Sequence, residues 1–223
     1  MNKYLLLITL LLCSAVNLFA SETFLFKNAS KNFDVKIEIE KCEKEVCHSA
    51  ARVYLLRKNQ TRVFQSIQMP EMYLHIGADK KATQNLTELY GENHGGVHFE
   101  DFNFDGAEDL ALRNGSNGVY GADSHDVLLF SKATGKFVKN AVLTELASEN
   151  DGLFTIDKKQ KTLETSTKNG CCWYQIVRYG IVNNRPVKIY VFTEDMANGD
   201  KSTSTTEMLV NGKWRKTVKT SKN

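Results

Sequence analysis

Proline is nearly absent: Pro70 and Pro186 are the only two in 223 residues. No stretch rich in proline, glycine and serine divides the chain either, so its length fits one domain with a proper core, or at most two small ones. Net charge is scarce as well, at +3 for 29 basic against 26 acidic residues. So small an excess gives no argument for nucleic-acid or membrane-surface binding. A Gly-x-Ser-x-Gly elbow, a phosphate loop and a complete His-Glu-x-x-His are all missing. Their absence removes the common sequence signatures of nucleophilic, phosphoryl-transfer and zinc-hydrolytic chemistry.

What is present begins with an export signal. Lys3 supplies the positive end, Tyr4 to Leu12 the apolar run, and Leu18-Phe19-Ala20 a small-residue cleavage site before Ser21. The run is too short to span a bilayer and polar sequence follows it, so no stable membrane insertion is expected. Cys13 follows Leu12, where a lipoprotein signal needs a small residue, so a soluble periplasmic or secreted protein is expected. Removing residues 1–20 takes away Lys3 and leaves residues 21–223, with 28 basic against 26 acidic residues, as a single all-β domain.

Four of the five cysteines remain in that segment: Cys42, Cys47, Cys171 and Cys172. An even number in an exported chain points to disulfides, with three possible connectivities. A Cys42–Cys47 bridge clips a strand end and is worth roughly 2 kcal/mol by loop-closure arithmetic. Cys171 and Cys172 are neighbours, about 3.8 Å apart at Cα, below the usual disulfide range. A bridge between them is strained and more easily reduced. Crossed bridges between the two pairs stay open, while an oxidising address argues against a four-cysteine zinc site.

The remaining pattern is of strands. Phe33 to Glu40 alternates apolar and charged residues, as a half-buried strand does. Ala51 to Leu56 and Val63 to Ile67 flank a polar turn, and so do Val127 to Phe130 and Lys136 to Val138. Leu153 to Ile156 with Thr162 to Thr165, and Tyr174 to Ile181 with Val187 to Phe192, repeat the arrangement. Asn211-Gly212, between Met208 to Val210 and Lys213 to Val218, suits a type I′ hairpin turn. Helical signal is confined to Ala141 to Ser148 and Thr83 to Tyr90. The expected fold is all-β, with antiparallel hairpins forming a small propeller-like or sandwich domain.

One stretch carries metal chemistry. Asp101-Phe102-Asn103-Phe104-Asp105-Gly106-Ala107-Glu108-Asp109 sets side-chain oxygens at alternate positions, then a glycine, then a further carboxylate. A hard cation such as Ca²⁺ takes six to eight oxygens at flexible geometry, which such a loop supplies. Asp101, Asn103 and Asp105 offer side chains, Ala107 its carbonyl, and Asp109 closes the ring. Gly106 permits the reversal, where a Cβ would penalise positive φ. The twelfth position is Leu112, where an EF-hand needs a bidentate glutamate, so the site reads as strand, loop, strand. Phe102 and Phe104 should point away from the ion and anchor the loop. One calcium, mainly structural, is the expected cofactor.

The motif resembles the calcium loop of integrin-type FG-GAP and VCBS-like repeat proteins. The order of features from about residue 97 to 190 is similar to small exported bacterial proteins with a single such loop. In that pattern the loop is followed by a Gly/Asn-rich segment like Asn114 to Tyr120, a hairpin, a short leucine-containing helix and a Cys-Cys-Trp segment. Some members of that family are periplasmic immunity proteins that block lysozyme-like peptidoglycan hydrolases. The resemblance implies calcium ligands at Asp101, Asn103, Asp105, Ala107 and Asp109, and a protein partner of that hydrolase class.

Three functions follow as expectations. The first is a calcium-stabilised inhibitor whose exposed aromatics, Tyr120, Trp173 and Tyr174, anchor a partner; the plainer reading packs Trp173 and Tyr174 into the core beside the cysteines. The second is a calcium-dependent adhesion or carbohydrate-binding module. The third, an enzyme, is disfavoured. His75, His94, His98 and His125 are available with Asp123 and Asp126, but two glycines separate His94 from His98 and argue against a metal-binding helix. Glu100 and Asp101 could mimic a glycosidase carboxylate pair, yet Asp101 is better employed on calcium.

Overall fold

In the computed structural model the chain is described over residues 21–76, 95–196 and 201–222. The export signal, the helical pattern at Thr83 to Tyr90 and His94 lie outside these residues. Among the described residues, fifteen strands, every ladder antiparallel, form three sheets that do not close on themselves, and a sandwich-like stacking fits them.

The first sheet holds β1 (Glu22–Phe26), β2 (Phe33–Ile39), β3 (Cys42–Glu43), β4 (Val46–Arg57) and β5 (Val63–His75). In β2 every odd-numbered residue is buried, as its strict alternation requires of a strand with one face on the core. β4 and β5 run well beyond the segments expected from sequence, because pairing with a neighbour extends a strand past its apolar residues. Cys42 pairs directly with Cys47 in the β3–β4 ladder and is bonded to it.

The second sheet holds β6 (Val97–Glu100), β7 (Asp109–Gly115), β8 (Ser124–Ser131) and β9 (Lys136–Lys139), and forms the middle layer. Leu110, Leu112 and Leu128 face a core shared with Val35, Ile37 and Leu55 of the first sheet. Ala111, Val127 and Leu129, on the opposite face, enter a second core with Leu163, Val177 and Tyr179 of the third sheet. Burial on both faces explains why β7 and β8 read as continuous apolar runs instead of alternating. The short helix α1 (Ala141–Leu146) is capped by Asn140, whose side chain accepts the Leu143 N–H, and places Leu143 in the second core.

The third sheet runs β10 (Thr155–Asp157), β11 (Thr162–Asn169), β12 (Trp173–Val182), β13 (Arg185–Asp195), β14 (Lys201–Val210) and β15 (Lys213–Lys222), each strand paired with the next. Asn211 and Gly212 have φ of 50° and 74°, the left-handed pair that the expected hairpin turn needs. The β11–β12 turn carries a disulfide between the adjacent Cys171 and Cys172, so both pairings are the local ones.

Candidate functional site

The loop from Asp101 to Glu108 joins β6 to β7 and lies where all three sheets meet. Glu108 reaches the first sheet, accepting from Ser30 Oγ at 3.1 Å and Asn32 Nδ2 at 2.6 Å in the β1–β2 turn. Asn103 reaches the third, donating from Nδ2 to Asn184 Oδ1 at 3.0 Å in the β12–β13 turn. Phe102, only 1% exposed, packs edge-on against Phe154 with centroids 5.5 Å apart. Phe104 packs half-buried on the same core. The two phenylalanines thus anchor the loop as their alternation with the polar residues implies.

Within the loop, Asp101 accepts the N–H of Asp105 on Oδ1 at 2.9 Å and that of Gly106 on Oδ2 at 2.8 Å. Asp105 Oδ1 accepts the Ala107 N–H at 2.8 Å. The chain turns through left-handed φ at Phe104 (59°) and Gly106 (85°). A Cβ at Gly106 would meet nothing within 4 Å, so the glycine is required by conformation and not by space. Burial works against the charge on Asp105, but the Ala107 N–H, Asn103 and Lys132 outweigh it and hold the carboxyl below its usual value. Lys132 brings its ammonium 2.6 Å from the Asp105 carbonyl oxygen and 3.3 Å from Oδ1, a cation contact that no sequence spacing announced.

Asp109 is fully buried and binds two strands at once: Oδ2 accepts from Phe102 N at 2.9 Å and Oδ1 from Phe130 N at 2.8 Å. Burial pushes its pKa up to about 7, with Asp105 and Asp101 adding to the rise and the two N–H bonds opposing it. A carboxyl raised from 3.8 in the unfolded chain binds extra proton in the fold across that window, so stability falls as pH rises. In chelator, the unfolding free energy should decline from pH 4 to pH 7 by on the order of 2–4 kcal/mol and then level off. Denaturant titrations at each pH check this. A decline of the same size in Asp109→Asn would assign it to other groups.

Among the described residues, no three His, Cys, Asp or Glu side chains converge as a metal cage. Asp101, Asp105 and Asp109 of the loop do not form such a cage either; beside them the loop offers the Asn103 amide oxygen and the Ala107 carbonyl. This all-oxygen set fits a hard cation by its chemistry.

The other polar candidates fall elsewhere. The rings of His98 and His125 meet edge-on at 5.4 Å between β6 and β8, with His98 Nε2 2.8 Å from the Gly95 carbonyl. Asp123 is ion-paired with Arg113, whose guanidinium lies 3.9 Å from the Tyr73 ring centroid. Asp126 is held by Asn114 at 2.7 Å and Lys139 at 2.9 Å. Burial and the nearby Arg113 lower the pKa of His75, with Asp123 and Glu45 opposing.

Tyr120 is 65% exposed and sits at φ 54° in a one-turn 3₁₀ segment, Val119–Gly121. A Cβ on Gly118 would lie 2.6 Å from the Asn150 carbonyl oxygen, a close approach that fixes this turn. The Tyr120 hydroxyl accepts the Gly170 N–H at 2.5 Å, and Lys168 Nζ lies 5.5 Å from its ring centroid. Lys168 pairs with Tyr174 across β11–β12, so Tyr120 and Tyr174 share one side of that hairpin tip. That side is the outer face of the third sheet, and it continues through half-buried Ile176, Phe192 and Tyr190 to exposed Met208. Trp173, next to the disulfide, points to the opposite side and lines a 340 Å³ recess with Asn169, Cys172 and Asp195. Neither Trp173 nor Tyr174 joins either core cluster.

The chain matches no family model and no curated protein. A solved Xanthomonas protein, described as related to a type IV secretion system, superposes with a TM-score of 0.68 at 22% identity, over 90% of this chain and 94% of its own. At that identity the likeness is one of fold: this chain has the stacked-sheet fold of that secretion-system related protein.

Proposed function

We propose that this protein is exported to the periplasm or secreted and works as a calcium-stabilised binding protein, inhibiting a lysozyme-like peptidoglycan hydrolase as an immunity protein does. The observation that carries the binding role is the presentation of Tyr120. Its ring is exposed, its backbone is locked by the Gly118 turn, and its hydroxyl is pinned to the neighbouring hairpin. A rigid aromatic beside further apolar side chains is the usual anchor of a protein interface, because little conformational entropy remains to be lost on binding. Tyr174 flanks it on the same side of the hairpin tip, while Trp173 faces the other side. The hydrolase as partner rests on the resemblance to the exported single-loop family. The secretion-system description of the fold neighbour agrees with an exported role, and two disulfides suit an oxidising compartment. No helix among the described residues is long and apolar enough to cross a membrane.

Calcium held by Asp101, Asn103, Asp105, the Ala107 carbonyl and Asp109 would fasten the junction of the three sheets. At ten times its dissociation constant the ion adds roughly 1.4 kcal/mol to stability. Asp105→Ala should abolish the calcium-induced rise in melting temperature. The partner is tested by assaying lysozyme-type hydrolases on peptidoglycan with the purified protein. Inhibition is expected, and Tyr120→Ala should weaken it about 30-fold, a hot-spot loss near 2 kcal/mol, with the melting temperature unchanged. If no hydrolase is retained or inhibited, this reading falls.

A calcium-dependent adhesion or carbohydrate-binding module is the second reading. A 620 Å³ cleft beside the loop favours it, since Phe99 and Phe104 line it together with Glu100 and Lys158. Aromatic and polar side chains in one cleft are suited to a sugar. It predicts glycan binding that chelation abolishes.

A further inference from the structure

The C-terminal hairpin stands apart from the rest of the molecule in both charge and packing. Lys201, Lys213, Arg215, Lys216, Lys219 and Lys222 face a single acidic residue, Glu207, so residues 201–222 carry a net +5. The whole chain carries only +3, and everything outside the hairpin is therefore net negative. All ten residues of β15 are exposed, and neither β14 nor β15 contributes to a core cluster. β15 is also the last strand of its sheet, and at ten residues it presents an edge of about 33 Å.

The apolar residues of this hairpin share one side with part of the charge, while Lys213, Arg215 and Lys219 alternate onto the other side of the same edge strand. Trp214 is 49% exposed and Val218 54%, and both lie on the same side of β15 as Lys216 and Lys222. Leu209 pairs directly with Trp214, and Lys201 with Lys222, so the same side continues onto β14. Lys216 is 3.6 Å from Glu207, leaving the other five cations without an acidic partner on the hairpin. Lysines on an edge strand also discourage pairing with other chains, and that role alone would account for the charge. It does not account for an exposed tryptophan and valine between the lysines. An acidic protein partner would have to bury the indole and meet cations on both sides of the edge with one complementary surface. A bilayer carrying anionic headgroups satisfies both, because tryptophan settles at the headgroup level while lysine and arginine meet phosphates.

We propose that the β14–β15 hairpin docks by its β15 edge on anionic phospholipid bilayers, with Trp214 and Val218 at the headgroup level on one side of the edge beside Lys216 and Lys222, and Lys213, Arg215 and Lys219 reaching lipid phosphates from the other side. This inference goes beyond the inhibitor reading and does not depend on it. The outer-face aromatics and the calcium loop lie on other strands, so the protein can rest on a membrane and keep them free.

The test uses the protein without its first twenty residues, which retains every described element, in a Trp173→Phe background so that Trp214 is the sole indole. Vesicles of phosphatidylcholine alone are compared with vesicles containing phosphatidylglycerol, by co-sedimentation and by Trp214 emission. Binding and a blue shift are expected only with phosphatidylglycerol, with loss of binding in 0.5 M salt. The quadruple variant K213Q/R215Q/K216Q/K219Q should bind at least about 100-fold more weakly, at about fivefold per basic residue near the surface. Its melting temperature should be unchanged, because the replaced residues are exposed. Trp214→Ser should lower affinity while keeping the salt dependence. The proposal is overturned if phosphatidylglycerol adds no binding, or if the quadruple variant binds as the parent does. It is equally overturned if the variant loses hydrolase inhibition while the parent shows no vesicle binding, since the hairpin would then serve a protein.

Discussion

Asp109→Ala should lower stability by about 3–5 kcal/mol in the presence of calcium, the largest loss expected from any single change in the loop. Asp109 is fully buried, and each of its oxygens accepts one backbone N–H, from Phe102 and from Phe130. Alanine leaves both donors without an acceptor, and a buried unsatisfied N–H costs about 1–3 kcal/mol. The substitution also removes the carboxylate proposed to close the calcium ring. In chelator above pH 7 the loss should shrink, because the wild type then carries an uncompensated buried charge that the variant lacks. Asp109→Asn keeps one acceptor and should fall between the two. Thermal melts with calcium and with chelator, at pH 5 and pH 8, separate these contributions. Equal melting of Asp109→Ala and wild type in calcium would show that the carboxylate does not tie the loop to β8.

The second large effect concerns the loop's apolar anchor. Phe102→Ala should cost about 3–5 kcal/mol, the usual range for emptying a buried phenylalanine site. The ring is 1% exposed and meets Phe154 edge-on. In a double-mutant cycle with Phe154→Ala, a coupling of about 0.5–1.5 kcal/mol is expected from the edge-to-face contact. Because Phe102 lies between Asp101 and Asn103, the variant should also bind calcium more weakly. Phe104→Gly should be far milder: the lost contact of a half-buried ring is offset by relief of a left-handed backbone. If Phe102→Ala and Phe104→Gly destabilise equally, the anchoring role assigned to Phe102 is wrong.

The strands were legible in the sequence to the degree that one face meets water. β2 reads plainly because Asp34, Lys36 and Glu38 alternate with buried Val35, Ile37 and Ile39. The full lengths of β4, β5 and β14 were not legible, since hydrogen bonding to a neighbour carries each past the end of its apolar pattern. β7 and β8 gave apolar runs without alternation, and only the stacking of sheets on both sides explains them.

The loop was legible as a list of oxygens but not as a junction. Glu108 has no place in the oxygen spacing of the loop, yet it ties the loop to the first sheet through Ser30 and Asn32. Asn184 lies 81 residues from Asn103, and no local pattern pairs them. Lys132 approaches Asp105 from the β8–β9 turn in the same way. For the exposed aromatics, composition named Tyr120, Trp173 and Tyr174. Folding then placed Tyr120 and Tyr174 on one side of a hairpin tip and turned Trp173 to the other, because adjacent strand residues point to opposite faces.

The sequence by itself determined the all-β class, the turn at Asn211-Gly212 and the oxygen spacing of the loop, because each is set by residues close along the chain. A net charge near neutrality also came from the sequence, and it concealed the segregation of five positive charges on the last hairpin. Only the tertiary structure decided the stacking of three sheets, the local pairing of the cysteines and the position of the loop at their junction. It also decided which face of the third sheet stays open. These are contacts between residues far apart in sequence, and they exist only when the buried faces of the sheets find one another.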